Sequence, residues 1–148
     1  MSTPSFGNIG GKAARLALLR VNGFPVPAFV AFSGERVSRT ARSADWDELA
    51  KEAAATIGAA AYAVRSSGSA EDAADASLAG AFSTEVAVPA SGVANAMRRV
   101  AEDALKKAGT LDGFGIIVQA FVEPAFAGIA FTRHPFGGRE TVVEWHAG

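Results

Sequence analysis

The segment Gly7-Asn8-Ile9-Gly10-Gly11-Lys12 leads into a run of helix-favouring residues. Glycines let the backbone come close to a ligand, the start of a helix presents N–H groups, and Lys12 adds a positive charge. Together they form a plausible anion cradle. The P-loop pattern is not met, because the glycine spacing differs and Ala13 stands where a Ser or Thr would hold magnesium. The same residues also read as a glycine pair before an ordinary helix, with Lys12 in water. A second segment, Ala63-Val64-Arg65-Ser66-Ser67, continues into Ala70-Glu71-Asp72 and Ala76-Ser77-Leu78-Ala79-Gly80. A guanidinium at the end of a strand, followed by two hydroxyls and a stretch of small residues, suits phosphate oxygens, because arginine offers five donors in a fixed fork. The competing reading pairs Arg65 with Glu71 or Asp72 as a surface ion pair, and composition does not choose between them.

The remaining reactive side chains point less sharply. His134, in Thr-Arg-His-Pro, reads as a turn residue and His146 as an exposed one, and their pattern does not suggest zinc. Glu71 and Asp72 read as loop-ordering residues rather than as a general acid and base. No Gly-x-Ser-x-Gly elbow occurs, so serine hydrolase chemistry has no support.

These residues need elements to hold them. Residues 10–22 read as a helix with apolar positions at Leu16, Leu19 and Val21, stopped by Gly23. Phe24-Pro25-Val26-Pro27 forces an extended path, and Phe29–Phe32 follows as a short buried strand. Residues 34–43 are ambiguous and compatible with a short helix. Asp45 is a candidate cap for a helix to about Ile57, with Trp46, Leu49 and Ala53 on one face. Ala61 to Arg65 reads as a strand, residues 66–81 as a long loop of the kind that usually carries function, and Phe82–Val88 as an alternating strand. Ser91–Lys107 has Val93, Met97, Val100, Ala101 and Leu105 at helical spacing, with Gly109 as its stop. Strands over 115–122, 127–132 and 141–145 complete the chain.

At 148 residues the chain fits one domain. Half the residues are hydrophobic and a fifth charged, so a folded core is expected rather than disorder. The net charge of -1 gives no bulk attraction for a polyanion, which argues against a nucleic-acid partner held by backbone electrostatics. Cysteine is absent, so disulfides, thiolate nucleophiles and cysteine metal sites are excluded. No apolar run reaches the roughly 18 residues that span a bilayer, and the first residues lack the parts of a signal peptide. The expectation is a cytoplasmic protein without a membrane partner.

One set of pieces occurs in a telling order: Gly10-Gly11-Lys12-Ala13-Ala14 with Leu16; Gly23-Phe24-Pro25-Val26-Pro27; Ala63-Val64-Arg65-Ser66-Ser67; Ala70-Glu71-Asp72; Asp75-Ala76-Ser77 with Ala79-Gly80; Val118-Gln119; and Ala127-Gly128-Ile129-Ala130-Phe131-Thr132-Arg133 with Pro135. Over about residues 7–148 this resembles the N-terminal ATP-binding domain of the phosphoenolpyruvate synthase and pyruvate phosphate dikinase family, which includes rifampicin phosphotransferase. The resemblance implies an α+β fold of ATP-grasp type, compact or truncated, with helices packed on a mixed or antiparallel sheet. It also implies ATP with Mg²⁺. Lys12 and Arg65 match the family's phosphate-contacting cations, which serve in phosphoryl transfer. Gly80 and Thr84 match residues that line the nucleotide. Gln119 matches the glutamine of the hinge that frames adenine, with Ala120 and Phe121 as hinge backbone.

The same resemblance marks departures. The family's magnesium-binding carboxylate lies in a segment like Ile-Glu-Trp, followed by Gln-Ala-Arg-Pro, and these 148 residues contain no such later glutamine and arginine. Glu144-Trp145 resembles the Glu-Trp pair but better matches the strand before a glycine-rich turn. The phosphohistidine and pyruvate-binding domains are absent from these residues too. The implied protein is therefore a phosphotransferase component whose grasp is completed by a second chain or an oligomer. A non-catalytic nucleotide-binding or assembly module derived from the family is the alternative.

Overall fold

The computed structural model describes residues 9–68, 82–134 and 137–147. Two-residue alternation along the strands sorts their side chains between two faces. Four strands, β1 (Phe29–Phe32), β2 (Ala61–Gly68), β3 (Thr84–Pro89) and β4 (Phe114–Ala120), pair antiparallel in the order β1-β4-β2-β3. Tyr62 and Val64 of β2, Phe114, Ile116 and Val118 of β4, and Phe32 of β1 all join the main core. Register makes them neighbours: Phe32 lies opposite Ile116, and Val64 opposite Val118.

Three helices cover that face. They are α2 (Gly34–Ser43), α3 (Trp46–Ile57) and α4 (Val93–Ala108), and they contribute Val37; Trp46, Leu49 and Ala53; and Val93, Met97, Val100, Ala101 and Ala104 to the core. Ser33 caps α2 by accepting from the Arg36 N–H at 3.4 Å. Gly58 and Gly109 end α3 and α4 in left-handed conformations that cost glycine little. The expected helices, strands and antiparallel sheet are thus present, and the fold is α+β as the resemblance implied.

Several local expectations need correction. Asp45 stands at the N-cap position of α3 but makes no side-chain cap bond. Leu105, placed on the apolar face of α4, is 47% exposed. The strand expected to end at Arg65 continues to Gly68, because Ser66, Ser67 and Gly68 pair with Ile116, Gly115 and Phe114. Residues 69–81 of the expected loop lie outside the described residues.

The opposite face of the sheet carries Ala63, Arg65 and Ser67 of β2 with Ile117 and Gln119 of β4. Helix α1 (Gly11–Val21) is held to it at both ends. At its start the Ala13 N–H donates to Ser67 Oγ at 3.1 Å. Near its end the Arg20 guanidinium lies 5.3 Å from the centre of the Phe29 ring, and Phe29 is in register with Gln119. The helix stops in a Schellman arrangement: Phe24 N–H bonds Leu19 O at 3.0 Å, Gly23 N–H bonds Arg20 O at 3.1 Å, and Gly23 takes φ +80°. Its expected apolar positions are only partly used. Leu16 is half-buried, whereas Leu19 and Val21 are exposed, and the fully buried position of the helix is Ala13.

The last strands, β5 (Phe126–Phe131) and β6 (Val142–Ala147), form a separate two-stranded antiparallel ribbon. No helix among the described residues is long and apolar enough to cross a membrane.

Two predictions concern this scaffold. Met97 is fully buried between the sheet and its helices, so Met97→Ala should lower the unfolding free energy by about 2–5 kcal/mol in a urea titration. Two cross-element ion pairs also give stability a pH dependence. Hydrogen bonds from Arg36, at 2.7 and 3.1 Å, hold the Glu52 carboxyl below its ordinary pKa against a smaller opposing push from burial. Arg99 does the same for Glu85. Lowered folded pKa values mean the stabilisation is complete above the ordinary carboxylate range and disappears as pH falls through the depressed values. Melting temperature should therefore drop on acidification below that range. Glu52→Gln with Glu85→Gln should flatten the drop modestly, because these pairs are largely solvent-screened.

Candidate functional site

The face under α1 gathers several of the residues singled out by sequence. Arg65 lies opposite Thr84 on β3 and opposite Ile117 on β4. Gln119 lies opposite Ala63, two residues before Arg65, and opposite Phe29. Directly opposed residues in an antiparallel pair share a face, so Thr84, Arg65 and Gln119 are cofacial. Ser67 belongs to that face too, two residues beyond Arg65 and about 7 Å along the strand.

Ser67 ties the remaining candidate to this group. Its Oγ accepts the amide of Ala13, the residue next to Lys12. Gly10, at φ +79°, lies so close to Ser67 that a Cβ there would collide with the Ser67 carbonyl. Gly115, the register partner of Ser67, serves the same approach: a Cβ would come within 2.9 Å of the Ile9 carbonyl and 2.7 Å of the Phe32 carbonyl. Residues 9–10 therefore lie across the Ser67–Gly115 pair, and the helix bearing Lys12 begins there.

Arg65 is partly buried, and its Nε is enclosed without a hydrogen-bond partner among the described residues. An unsatisfied buried donor is costly in a side chain kept only for stability. A ligand oxygen would satisfy it. The ion-pair reading of Arg65 with Glu71 or Asp72 falls outside the described residues, as does Gly80.

The hinge positions are partly pre-engaged. Gln119 is buried, and its Nε2 donates to Pro27 O at 3.5 Å, the limit of hydrogen-bonding reach. The Ala120 N–H donates to Ala28 O at 2.8 Å and the Phe121 N–H to Ala61 O at 2.9 Å. These bonds clamp the end of β4 between its neighbours, and they leave neither amide available to a base. Phe121 is partly buried.

The two serines expected to face phosphates together do not. Adjacent residues on a strand point to opposite faces, both are buried, and Ser67 already accepts the α1 amide. The roles of Gly10 and Gly115 were missed on sequence. A glycine before a helix and a glycine inside an apolar strand were the available signals, since each can mark close backbone approach. His134 sits at a turn, its carbonyl accepting from Gly137 N–H at 3.1 Å. His146 is exposed, and Glu144 is exposed on the ribbon opposite Ile129.

A family model described as the AMP/ATP-binding domain of pyruvate phosphate dikinase matches residues 43–147. Well over half of the chain is covered, and the chain belongs to that family. The match includes Arg65, Gly80, Thr84, Gln119 and Phe121, and it begins after Lys12 and α1. A search of curated proteins found no match.

The enclosed Arg65 Nε gives a direct prediction. Arg65→Met removes an unsatisfied donor while keeping much of the side-chain volume. It should hold or raise the unfolding free energy, by up to about 1 kcal/mol, in a denaturant titration without nucleotide. A marked loss would mean that Arg65 is a structural residue.

Proposed function

We propose that this chain is the ATP-binding portion of a phosphotransferase like phosphoenolpyruvate synthase and pyruvate phosphate dikinase, working as one domain over residues 1–148. The observation that carries the reading is the cofacial set Arg65, Thr84 and Gln119, with the Lys12-bearing helix seated on Ser67 of the same face. Membership of an AMP/ATP-binding family supports it.

In this reading Lys12 and Arg65 approach the polyphosphate from a helix start and from a strand. Two cations and oriented amides stabilise charge that develops on the transferring phosphoryl group, at positions fixed before the substrate arrives. Arg65 supplies directed donors, its enclosed Nε among them, and Lys12 supplies a compact charge on a flexible stem. Thr84 and Gly80 flank the nucleotide, and Gln119 and Phe121 border the base. The phosphoryl group leaves for an acceptor held outside these 148 residues, on a second chain or domain that completes the grasp. The reading places the protein in the cytoplasm.

The Mg²⁺ that accompanies ATP is part of this proposal as substrate. Among the described residues no cluster of three or more His, Asp or Glu side chains could hold a metal. Magnesium with a nucleotide is held by phosphate oxygens and waters together with one or two carboxylates, which in this reading the partner that completes the grasp supplies, and no step here is routed through a protein-held ion.

Calorimetry with ATP and Mg²⁺ tests the reading. The chain should bind at or below millimolar nucleotide, and Lys12→Ala and Arg65→Ala should each weaken binding by about 1–3 kcal/mol, the scale of a charge-assisted hydrogen bond. Absence of binding at millimolar ATP would refute a standalone site. Unchanged affinity in both variants would place the phosphates elsewhere.

A further inference from the structure

Helix α1 lacks a cap of its own. Gly10 occupies the N-cap position and has no side chain to accept an amide of the first turn, where the N–H groups have no intrahelical acceptor. Sequence-local capping is normally done by a Ser, Thr, Asp or Asn at that position. Here the acceptor comes from 54 residues away, as Ser67 Oγ, fully buried, takes the Ala13 N–H. The backbone before the helix is fitted to the same spot. Ile9 and Gly10 cross the Ser67–Gly115 pair at distances that only glycine permits.

Position along β2 gives this bond its consequence. Ser67 shares a face with Arg65 two residues earlier, and Ala13 follows Lys12 directly. One hydrogen bond therefore fixes the start of the lysine-bearing helix relative to the arginine-bearing strand. The bond forms between elements that the sequence separates widely, at a helix otherwise anchored near its far end by Arg20 on Phe29.

We propose that Ser67 is a positioning residue for nucleotide binding: by capping α1 from the sheet, with Gly10 and Gly115 opening the space, it sets Lys12 beside Arg65 so that both act on one phosphate chain. This rests on the ATP reading above and deepens it. Ser67 acts through Lys12 and makes no contact with the phosphates itself.

A double-mutant cycle read by calorimetry with MgATP tests the assignment. Ser67→Ala should weaken ATP binding about tenfold, the equivalent of ~1.4 kcal/mol, and Lys12→Ala should weaken it at least as much. The double variant should bind no more weakly than Lys12→Ala alone, because the cap has nothing left to position. Losses that multiply in the double variant, or a Ser67→Ala chain that binds like the parent, would overturn the proposal. A readout on the unmodified chain covers the case in which Ser67→Ala does not fold. The Ala13 amide should exchange with solvent deuterium far more slowly than that of Gly11, its neighbour in the first turn. Equal exchange of the two amides would show that the cap is not formed, and would likewise overturn it. The two readings fail differently. A parent chain that binds no ATP overturns both, whereas a parent chain sensitive to Lys12→Ala and Arg65→Ala but indifferent to Ser67→Ala overturns the positioning role alone.

Discussion

The two-residue alternation of β2, held in register against β4, is the constraint on which the rest depends. A slip of one residue would exchange the faces of Tyr62 and Val64 with those of Ala63 and Arg65. The core would then present a guanidinium to Met97 and Val100, and the candidate site would present a tyrosine and a valine. Burial of the apolar set under three helices therefore fixes, with no further interaction, where Arg65, Ser67 and Gln119 stand. Stability and placement of the site have the same origin, although the residues that provide them are different.

The two sides of the sheet are built on different chemistry. The helix-covered side is packed mainly from apolar side chains, with Ser66 buried among them, and its ion pairs sit at the rim, where Arg36 meets Glu52 and Arg99 meets Glu85. The α1 side is assembled from small residues and backbone approach. Ala13, Ser67, Gly10 and Gly115 allow the start of a helix to come down onto two strands, which larger side chains would prevent. An enclosed Arg65 Nε on such a face is costly for a free chain, and site residues commonly carry such costs. The β5–β6 ribbon follows neither pattern. It leaves Phe126, Ile129, Val143 and Trp145 well exposed, with the Phe126 and Trp145 rings meeting edge to face at 5.6 Å.

Membership of the AMP/ATP-binding family and the geometry bear on overlapping but unequal parts of the chain. The matched residues 43–147 hold the sheet strands β2 to β4 and the candidate residues on them. Helix α1 and Lys12 lie before the match, and their relation to the site comes from contacts alone, through Ser67 Oγ and Gly115. That division makes the α1–β2 junction the most informative place in the molecule.

Much of the framework was legible in the residues themselves. Gly23 and Gly109 mark the ends of α1 and α4, and helical spacing marks the core stripe of α4 from Val93 to Val100, because these signals act within one turn of the chain. Arg65 and Lys12 could be picked out as phosphate-seeking groups from their neighbours in sequence. Sequence misplaced what depends on a partner element. Leu105, Leu19 and Val21 have helical spacing but stay well exposed, Asp45 stands at a cap without capping, and β2 runs on to Gly68 because β4 offers register partners as far as Phe114. Only the tertiary structure decided that Ser66 and Ser67 part company across the sheet, and that Ser67 caps a helix through an amide 54 residues earlier. Local propensity carries no information about which distant amide a buried hydroxyl will meet, since that is settled by strand register and the close approach of backbones.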